Sequence, residues 1–383
     1  MPWTSPTASI RERLQKPVRN IGLIAAIILL WLAYVEIVAF ARLRLAAPET
    51  DIIPRSRLQA VYKHQNWVNA LADEWKPSNR FDYQAYVIWE RHPFEGKTIN
   101  VEGDGLRHTY HSRCDPDAYT IWMFGGSTTW GAGVPDWLTV PSFLAEQYEQ
   151  SGDNVCIRNY GEKAWVNTQE LIKLILELKR GGRKPDLVIF YDGPADVYEV
   201  YQSGRPGVHQ NFDEIKHLYE GHASEGRGGF HYLLNTNAAE LFLEHRHRNQ
   251  MEKRAATIEA DLIARGAVRC YLDNLNFVEA LAREYKFDYV FVWEPTIFNS
   301  NKSLSSDEQN TLAAANLRSP GLENADRSAR QLVRASPSTH LIDVADVFDK
   351  ISDTVYFDQA HVSAEGNRLV AIRIYQILQR RRP

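Results

Sequence analysis

Cysteine is scarce in this chain, and what is missing around it narrows the chemistry. The three cysteines, Cys114, Cys156 and Cys270, form no C-x-x-C pair and match no zinc-ligand spacing. Neither a redox dithiol nor a structural zinc site is therefore encoded. An odd count precludes a fully paired monomer but leaves room for one bridge, and Cys156, inside an apolar run, reads as an inert core thiol. A basic field is also lacking: the net charge is -4, which argues against nucleic acid as a partner. There is no phosphate-binding loop and no dinucleotide fingerprint; Gly131-Ala132-Gly133 is too short and wrongly placed to be one. No metal and no organic cofactor is expected. Internal repeats and low-complexity tracts are absent from the sequence.

What the chain does have is enough apolar residues for a large core. At 383 residues, 44% hydrophobic and 11% aromatic, it can form one large domain plus appendages rather than a disordered chain. One segment changes the class. Residues 21–40 are twenty in number and almost wholly apolar, enough to span a hydrocarbon core. The single charge, Glu36, lies near the C-terminal end, where a carboxylate reaches the interface. The run is long for the apolar part of a secretory leader, which favours an uncleaved anchor. Ala39-Phe40-Ala41 also matches a small-x-small cleavage site, so removal stays open. Arg11, Arg13, Lys16 and Arg19 before the span are balanced by Arg42, Arg44, Arg55 and Arg57 after it, so charge does not orient it. A short tail, one anchor and a large domain suit an N-terminus inside and a domain on the extracytoplasmic side of the membrane.

We read residues 1–20 as a cytoplasmic tail, 21–41 as the anchor, 42–82 as linker and lead-in, and 83–383 as the main domain. From Tyr119 the pattern alternates. Strands are expected at 119–124, 155–159, 187–191, 289–293 and 340–344, all short apolar runs of the kind buried in a parallel sheet. Helices are expected at 142–150, 168–180, 271–285, 325–334 and 364–380. Such alternation predicts a three-layer α/β fold with its site at the carboxyl ends of the strands. An insertion at about 198–266 breaks the rhythm: a polar loop over 198–229, then a helix over 238–265 stopped by Gly266.

Two short segments carry the chemistry. Phe124-Gly125-Gly126-Ser127-Thr128-Thr129 ends the first strand, and Phe357-Asp358-Gln359-Ala360-His361 precedes the last helix. A serine on a glycine-rich strand-to-helix turn exposes its hydroxyl at the sheet edge. An Asp and a His three residues apart can supply its base and the group that orients that base. The bland alternatives are that Ser127 caps a helix and that Asp358 is a turn residue. His245 and His247 face different sides of a helix and read as solvated.

Together, and in this order, the two segments resemble the SGNH (GDSL-like) hydrolases, of a membrane-anchored bacterial type. The continuation Trp130-Gly131-Ala132-Gly133-Val134, then Thr139-Val140-Pro141, adds to the likeness, which covers roughly residue 83 to the C-terminus. The resemblance implies a flavodoxin-like three-layer α/β/α sheet and an acyl-enzyme mechanism with Ser127 as nucleophile, His361 as base and Asp358 in support. It implies oxyanion donors at the Ser127 backbone N–H, at a glycine that is Ala164 here, and at an asparagine that is Ala195 here. An alanine N–H still donates, but Ala195 has no side-chain donor, which leaves a catalytically degenerate binding or assembly protein as a rival. Trp130, Trp165 and Gly193 are candidates for the substrate site, with core packing the plainer reading for such aromatics and sugar platforms the sharper one; Arg107 is a candidate for an anionic group, with a surface salt bridge as the plainer reading. The family also implies an ester substrate, such as the acetyl groups of envelope polysaccharide. Transfer to a sugar hydroxyl and lipid esterase activity stand as alternatives.

Overall fold

A computed structural model describes residues 10–45, 53–223 and 259–381. Of these, residues 10–45 with 219–223 fall in one unit, and 53–218 with 259–381 in the other. In the first unit, helix α1 (Ile10–Leu45) contains the stretch Leu23–Phe40 with a mean hydropathy of 2.5. By length and composition it is the one helix among the described residues able to cross a membrane, and a signal sequence would pass the same test. Its Leu29, Leu30 and Trp31 are exposed.

The second unit starts earlier than the sequence suggests. Part of the stretch read as linker and lead-in forms helices α2 (Arg55–Val61) and α3 (Val68–Ser78). Leu58, Tyr62, Leu71 and Trp75 bury themselves against Trp130, Val134 and Phe357 in a small second core. Hairpins β1 (Phe81–Gln84) with β2 (Ile88–Arg91), and β3 (Phe94–Glu95) with β4 (Asn100–Val101), come next.

Then comes the parallel sheet. Strand β5 (Tyr119–Gly125) leads through the single turn α4 (Ser127–Trp130) and α5 (Val140–Gln150) to β6 (Val155–Gly161). Helix α6 (Asn167–Arg180) returns to β7 (Leu187–Asp192), which is followed by α7 (Pro194–Ser203), α8 (Phe212–Ala223) and α9 (Ala260–Tyr285). After β8 (Asp288–Trp293), helices α10 (Ser306–Arg318) and α11 (Leu322–Arg334) lead to β9 (Leu341–Asp343) and to α12 (Ala364–Arg381). The sheet order is β6-β5-β7-β8-β9, all parallel. Helices α5 and α12 pack together on one side, and α6, α7, α9 and α11 pack on the other. This is the expected three-layer α/β/α architecture. Strand β5 comes first of these five in the chain but lies between β6 and β7, so the chain moves out to one side of it and then crosses back to the other. That switch point opens a crevice at its carboxyl end.

Three expectations need correction. The described part of the loop expected over 198–229, up to residue 223, is largely helical, in α7 and α8. Gly266 stops nothing: α9 runs straight through it, and the missing side chain lets Pro206 approach, because a Cβ there would lie 2.9 Å from the proline ring. The helix expected over 238–265 falls mostly outside the described residues. Cys156 is no free thiol, since it forms a disulfide with Cys114, 42 residues earlier. Cys270 is the free cysteine.

Candidate active site

The turn after β5 is shaped by crowding. A Cβ on Gly125 would sit 2.1 Å from Thr129 Oγ1 and 2.2 Å from the Tyr191 carbonyl, so only glycine lets the chain pass beside β7. Thr129 Oγ1 then donates to that same carbonyl at 2.9 Å. Asn159 on β6 donates to the Thr129 carbonyl at 3.1 Å and accepts from Gly161 N–H at 2.9 Å. Ser127, at the first position of α4, is thus gripped by both neighbouring strands and remains partly exposed.

The opposing loop holds His361. Tyr356 and Val362 form an isolated antiparallel bridge, and Phe357 N–H donates to the His361 carbonyl at 2.8 Å. Asp358 Oδ1 accepts from the Ala360 and His361 N–H groups at 2.9 and 2.8 Å. Its Oδ2 lies 2.7 Å from His361 Nδ1, and His361 Nε2 lies 2.7 Å from Ser127 Oγ. Burial would raise the Asp358 pKa, but His361 and the two N–H donors outweigh it and hold the carboxyl below its usual value. An ionised Asp358 fixes the proton on Nδ1 and leaves Nε2 free to accept from the serine.

The structure therefore brings Ser127, His361 and Asp358 together across 234 residues of chain. Beside them, among the described residues, neither the Ser127 nor the Ala164 N–H has an acceptor. Ala164 lies three residues past Gly161, the register partner of Gly125, so both amides sit beyond the ends of adjacent strands. It has φ 61°, a left-handed conformation costly for alanine. The turn is held there by the lead-in. Trp89 Nε1 donates to the Lys163 carbonyl at 2.9 Å, and Trp165 Nε1 returns the bond to the Trp89 carbonyl at 3.1 Å. Arg91 pairs with buried Glu162 at 3.1 Å. Ala195, second residue of α7 and half-buried, offers only a methyl group.

Other candidates go elsewhere. Arg107 is fully buried: its Nε donates to Asp136 at 2.8 Å and its terminal nitrogens to the Trp130, Gly131 and Val134 carbonyls. With its donors spent on the scaffold, it meets neither solvent nor an anionic substrate. Trp130 is 1% exposed, sandwiched between Arg91 and Arg107 at 4.1 and 4.2 Å, and Trp165 is 2% exposed. Neither presents a face to a sugar. Gly193 has φ 110° and exists for close packing, since a Cβ would lie 2.4 Å from the Trp293 ring.

Sequence reasoning missed an acidic group under the crevice. Glu170, Asp192, Asp196 and Glu199 are buried, as is Glu294 just after β8. Desolvation, reinforced in Glu170 and Asp196 by the neighbouring acids, raises the pKa of every one of them. The available signal was position: Asp192 and Glu294 stand where strands β7 and β8 end, the edge where an α/β sheet builds its site. Among the described residues no His/Cys/Asp/Glu group could hold a metal ion.

No family model matches the chain, and no curated protein is similar to it. Solved structures are similar to it at low identity. One is a lipolytic G-D-S-L family protein from Veillonella parvula, at 12% identity and a TM-score of 0.38, covering 68% of this chain and 98% of that one. A second is a lipase/acylhydrolase from Enterococcus faecalis, at 14% and 0.35, covering 68% and 96%. A third is an acetylxylan esterase from Geobacillus stearothermophilus, at 13% and 0.32, covering 68% and 94%. These chains are all named for lipolytic or esterase activity, but a likeness this distant does not transfer their activities or substrates to this chain.

Proposed function

We propose that the protein is a membrane-tethered serine esterase that removes acyl groups, acetyl in the first instance, from an ester such as envelope polysaccharide. The observation that carries the reading is the continuous relay from Ser127 Oγ through His361 to Asp358, 2.7 Å at each step. In this mechanism Ser127 Oγ attacks the ester carbonyl while His361 Nε2 takes the hydroxyl proton. The carbonyl oxygen becomes an oxyanion facing the Ser127 and Ala164 N–H groups. On collapse the carbon–alkoxy bond breaks, and His361 returns the proton to the leaving oxygen. Water, deprotonated by His361, then attacks the acyl-enzyme and frees Ser127. The acetyl group and the polysaccharide come from the resemblance of the two motifs, not from a residue that selects them.

Two features bear on location. Helix α1 has the length and apolarity of an anchor, and the Cys114–Cys156 disulfide favours an oxidising compartment over the cytoplasm. Both fit a periplasmic domain. A non-catalytic role is favoured only by Ala195, and a relay with both hydrogen bonds intact argues against it. The test is labelling with a serine-directed fluorophosphonate and hydrolysis of p-nitrophenyl acetate. Wild type should label, and Ser127→Ala should neither label nor turn over, losing on the order of 10⁴-fold or more in kcat. An unlabelled wild type, or equal labelling of both, overturns the reading.

A further inference from the structure

The nucleophile turn rests on an acid that the relay does not use. Thr128, the residue after Ser127, donates its hydroxyl to Glu294 Oε2 at 2.5 Å. Glu294 is 4% exposed and comes directly after the last residue of β8. Its backbone is fixed as well: its N–H donates to the Asp192 carbonyl at 3.0 Å, and Asn299 donates to its own carbonyl at 3.3 Å. The short side chain therefore spans from β8, past β7, to the turn that leaves β5.

Its surroundings hold no compensating charge. Thr128 faces it from α4, Asp192 and Tyr191 from β7, Glu170 from α6 and Asp326 from α11. Every one of these is an acid or a neutral hydroxyl. Among the described residues no cation pairs with Glu294. Arg330, on the same helix as Asp326, is committed to Asp343 at 2.9 Å and to the Asn299 carbonyl. A buried carboxylate without a cation, facing other acids, is far costlier than a carboxylic acid in the same place.

We propose that Glu294 is a positioning residue for the nucleophile, holding the Ser127 turn through Thr128 while it carries its proton. The inference rests on Ser127 being the nucleophile. Ionisation would have two effects, both unfavourable. The carboxylate would be driven from Asp192 and Asp326 toward water and, because a charged acceptor binds the Thr128 hydroxyl more tightly, would drag the Ser127 turn with it. Its charge would also oppose the oxyanion that forms one residue away. Desolvation, helped by Asp192 and Asp326, outweighs the Thr128 hydrogen bond, which favours the ionised form, and pushes the Glu294 pKa up to about 8.

The experiment measures the rate of fluorophosphonate labelling of the full chain in detergent between pH 7 and 9.5, with circular dichroism recorded at each pH. A group that must be neutral and titrates near 8 leaves about 3% of the wild type competent at pH 9.5, a roughly thirtyfold fall from pH 7. Glu294→Gln cannot ionise and keeps an acceptor for Thr128, so its rates at the two pH values should agree within about threefold. Thr128→Val keeps the shape but removes the donor; it should label more slowly at pH 7 and show a flattened limb. A Gln variant with the same thirtyfold fall, or a wild type with no fall while folded, overturns the proposal. So does a Thr128→Val variant with wild-type rate and limb. Failure of the nucleophile assignment would look different: the wild type would not label at any pH.

Discussion

Replacing Arg107 separates a binding residue from a scaffold residue. Its guanidinium is fully buried, 2.8 Å from Asp136, and donates to three carbonyls of the turn after α4. Arg107→Ala would strand a buried carboxyl that keeps only Asn100 as a neutral donor, at 2.9 Å. Breaking a buried pair costs about 3–5 kcal/mol, and each carbonyl left dry costs about 1–3 kcal/mol more. Water entering the vacated space and protonation of Asp136, whose pKa burial already raises, both trim the sum, so about 5 kcal/mol is a fair expectation. At roughly 2–4 °C per kcal/mol for a domain of this size, Tm should fall by about 10–20 °C. Arg107→Lys keeps one charge near Asp136 but loses the fork, and about half that loss is expected. The assay is thermal unfolding, together with KM for an acetyl and a succinyl ester of the same alcohol. Scaffold chemistry predicts a lower Tm in Arg107→Lys with the ratio of the two KM values unchanged. An unaltered Tm with a selective rise in KM for the anionic succinyl ester would refute the reasoning.

Further predictions concern the oxyanion side, the bridge and pH. Ala195→Asn should raise kcat on p-nitrophenyl acetate on the order of tenfold with little change in KM, because a donor aimed at the tetrahedral oxygen favours the transition state; no gain would mean that another group serves or that the side chain points away. Thiol titration of the unfolded, unreduced protein should find one reactive cysteine, Cys270, whereas three would deny the bridge. Since the bridge closes a 42-residue separation, Cys114→Ser should cost up to about 4 kcal/mol in urea unfolding. Glu199 and Glu294, ordinarily at 4.5, are both pushed to about 8 by burial. The native state therefore holds protons that the unfolded chain has released, and stability should fall as pH rises from about 4.5 to 8. A urea midpoint higher at pH 8 than at pH 5.5 would contradict this.

The sheet was legible in the sequence because buried parallel strands read as unbroken apolar runs; all five lie within two residues of expectation. That Ser127, Asp358 and His361 would come together was legible because a serine on a glycine turn and an Asp-x-x-His are both local motifs. What stayed hidden depends on contacts between distant segments. Helix α10 carries a capping box, Ser305 with Glu308, but has no strong apolar stripe. Gly266 looks like a stop until Pro206 is known to lie against it. Trp130 and Trp165 flank site residues in sequence, yet spacing does not say which way an indole turns, and both turn inward. Cys114 lies outside any strand, so nothing in its neighbours names Cys156 as its partner.

The small core built from residues before the sheet has a consequence for how this chain would tolerate proteolysis near its N-terminal helix. Ile53, Leu58, Tyr62 and Trp75 pack beneath Trp130 and Phe357, the flanks of the nucleophile turn and of the histidine loop. Tyr62 Oη also accepts from Ala364 N–H at 2.8 Å, at the start of the last helix. If α1 is the proposed tether, a cut before Ile53 would leave this core whole, whereas a cut among residues 62–67 would carry Ile53 and Leu58 away from beneath Trp130 and Phe357. The thermal stability of a released fragment should therefore report which side of Ile53 was cut.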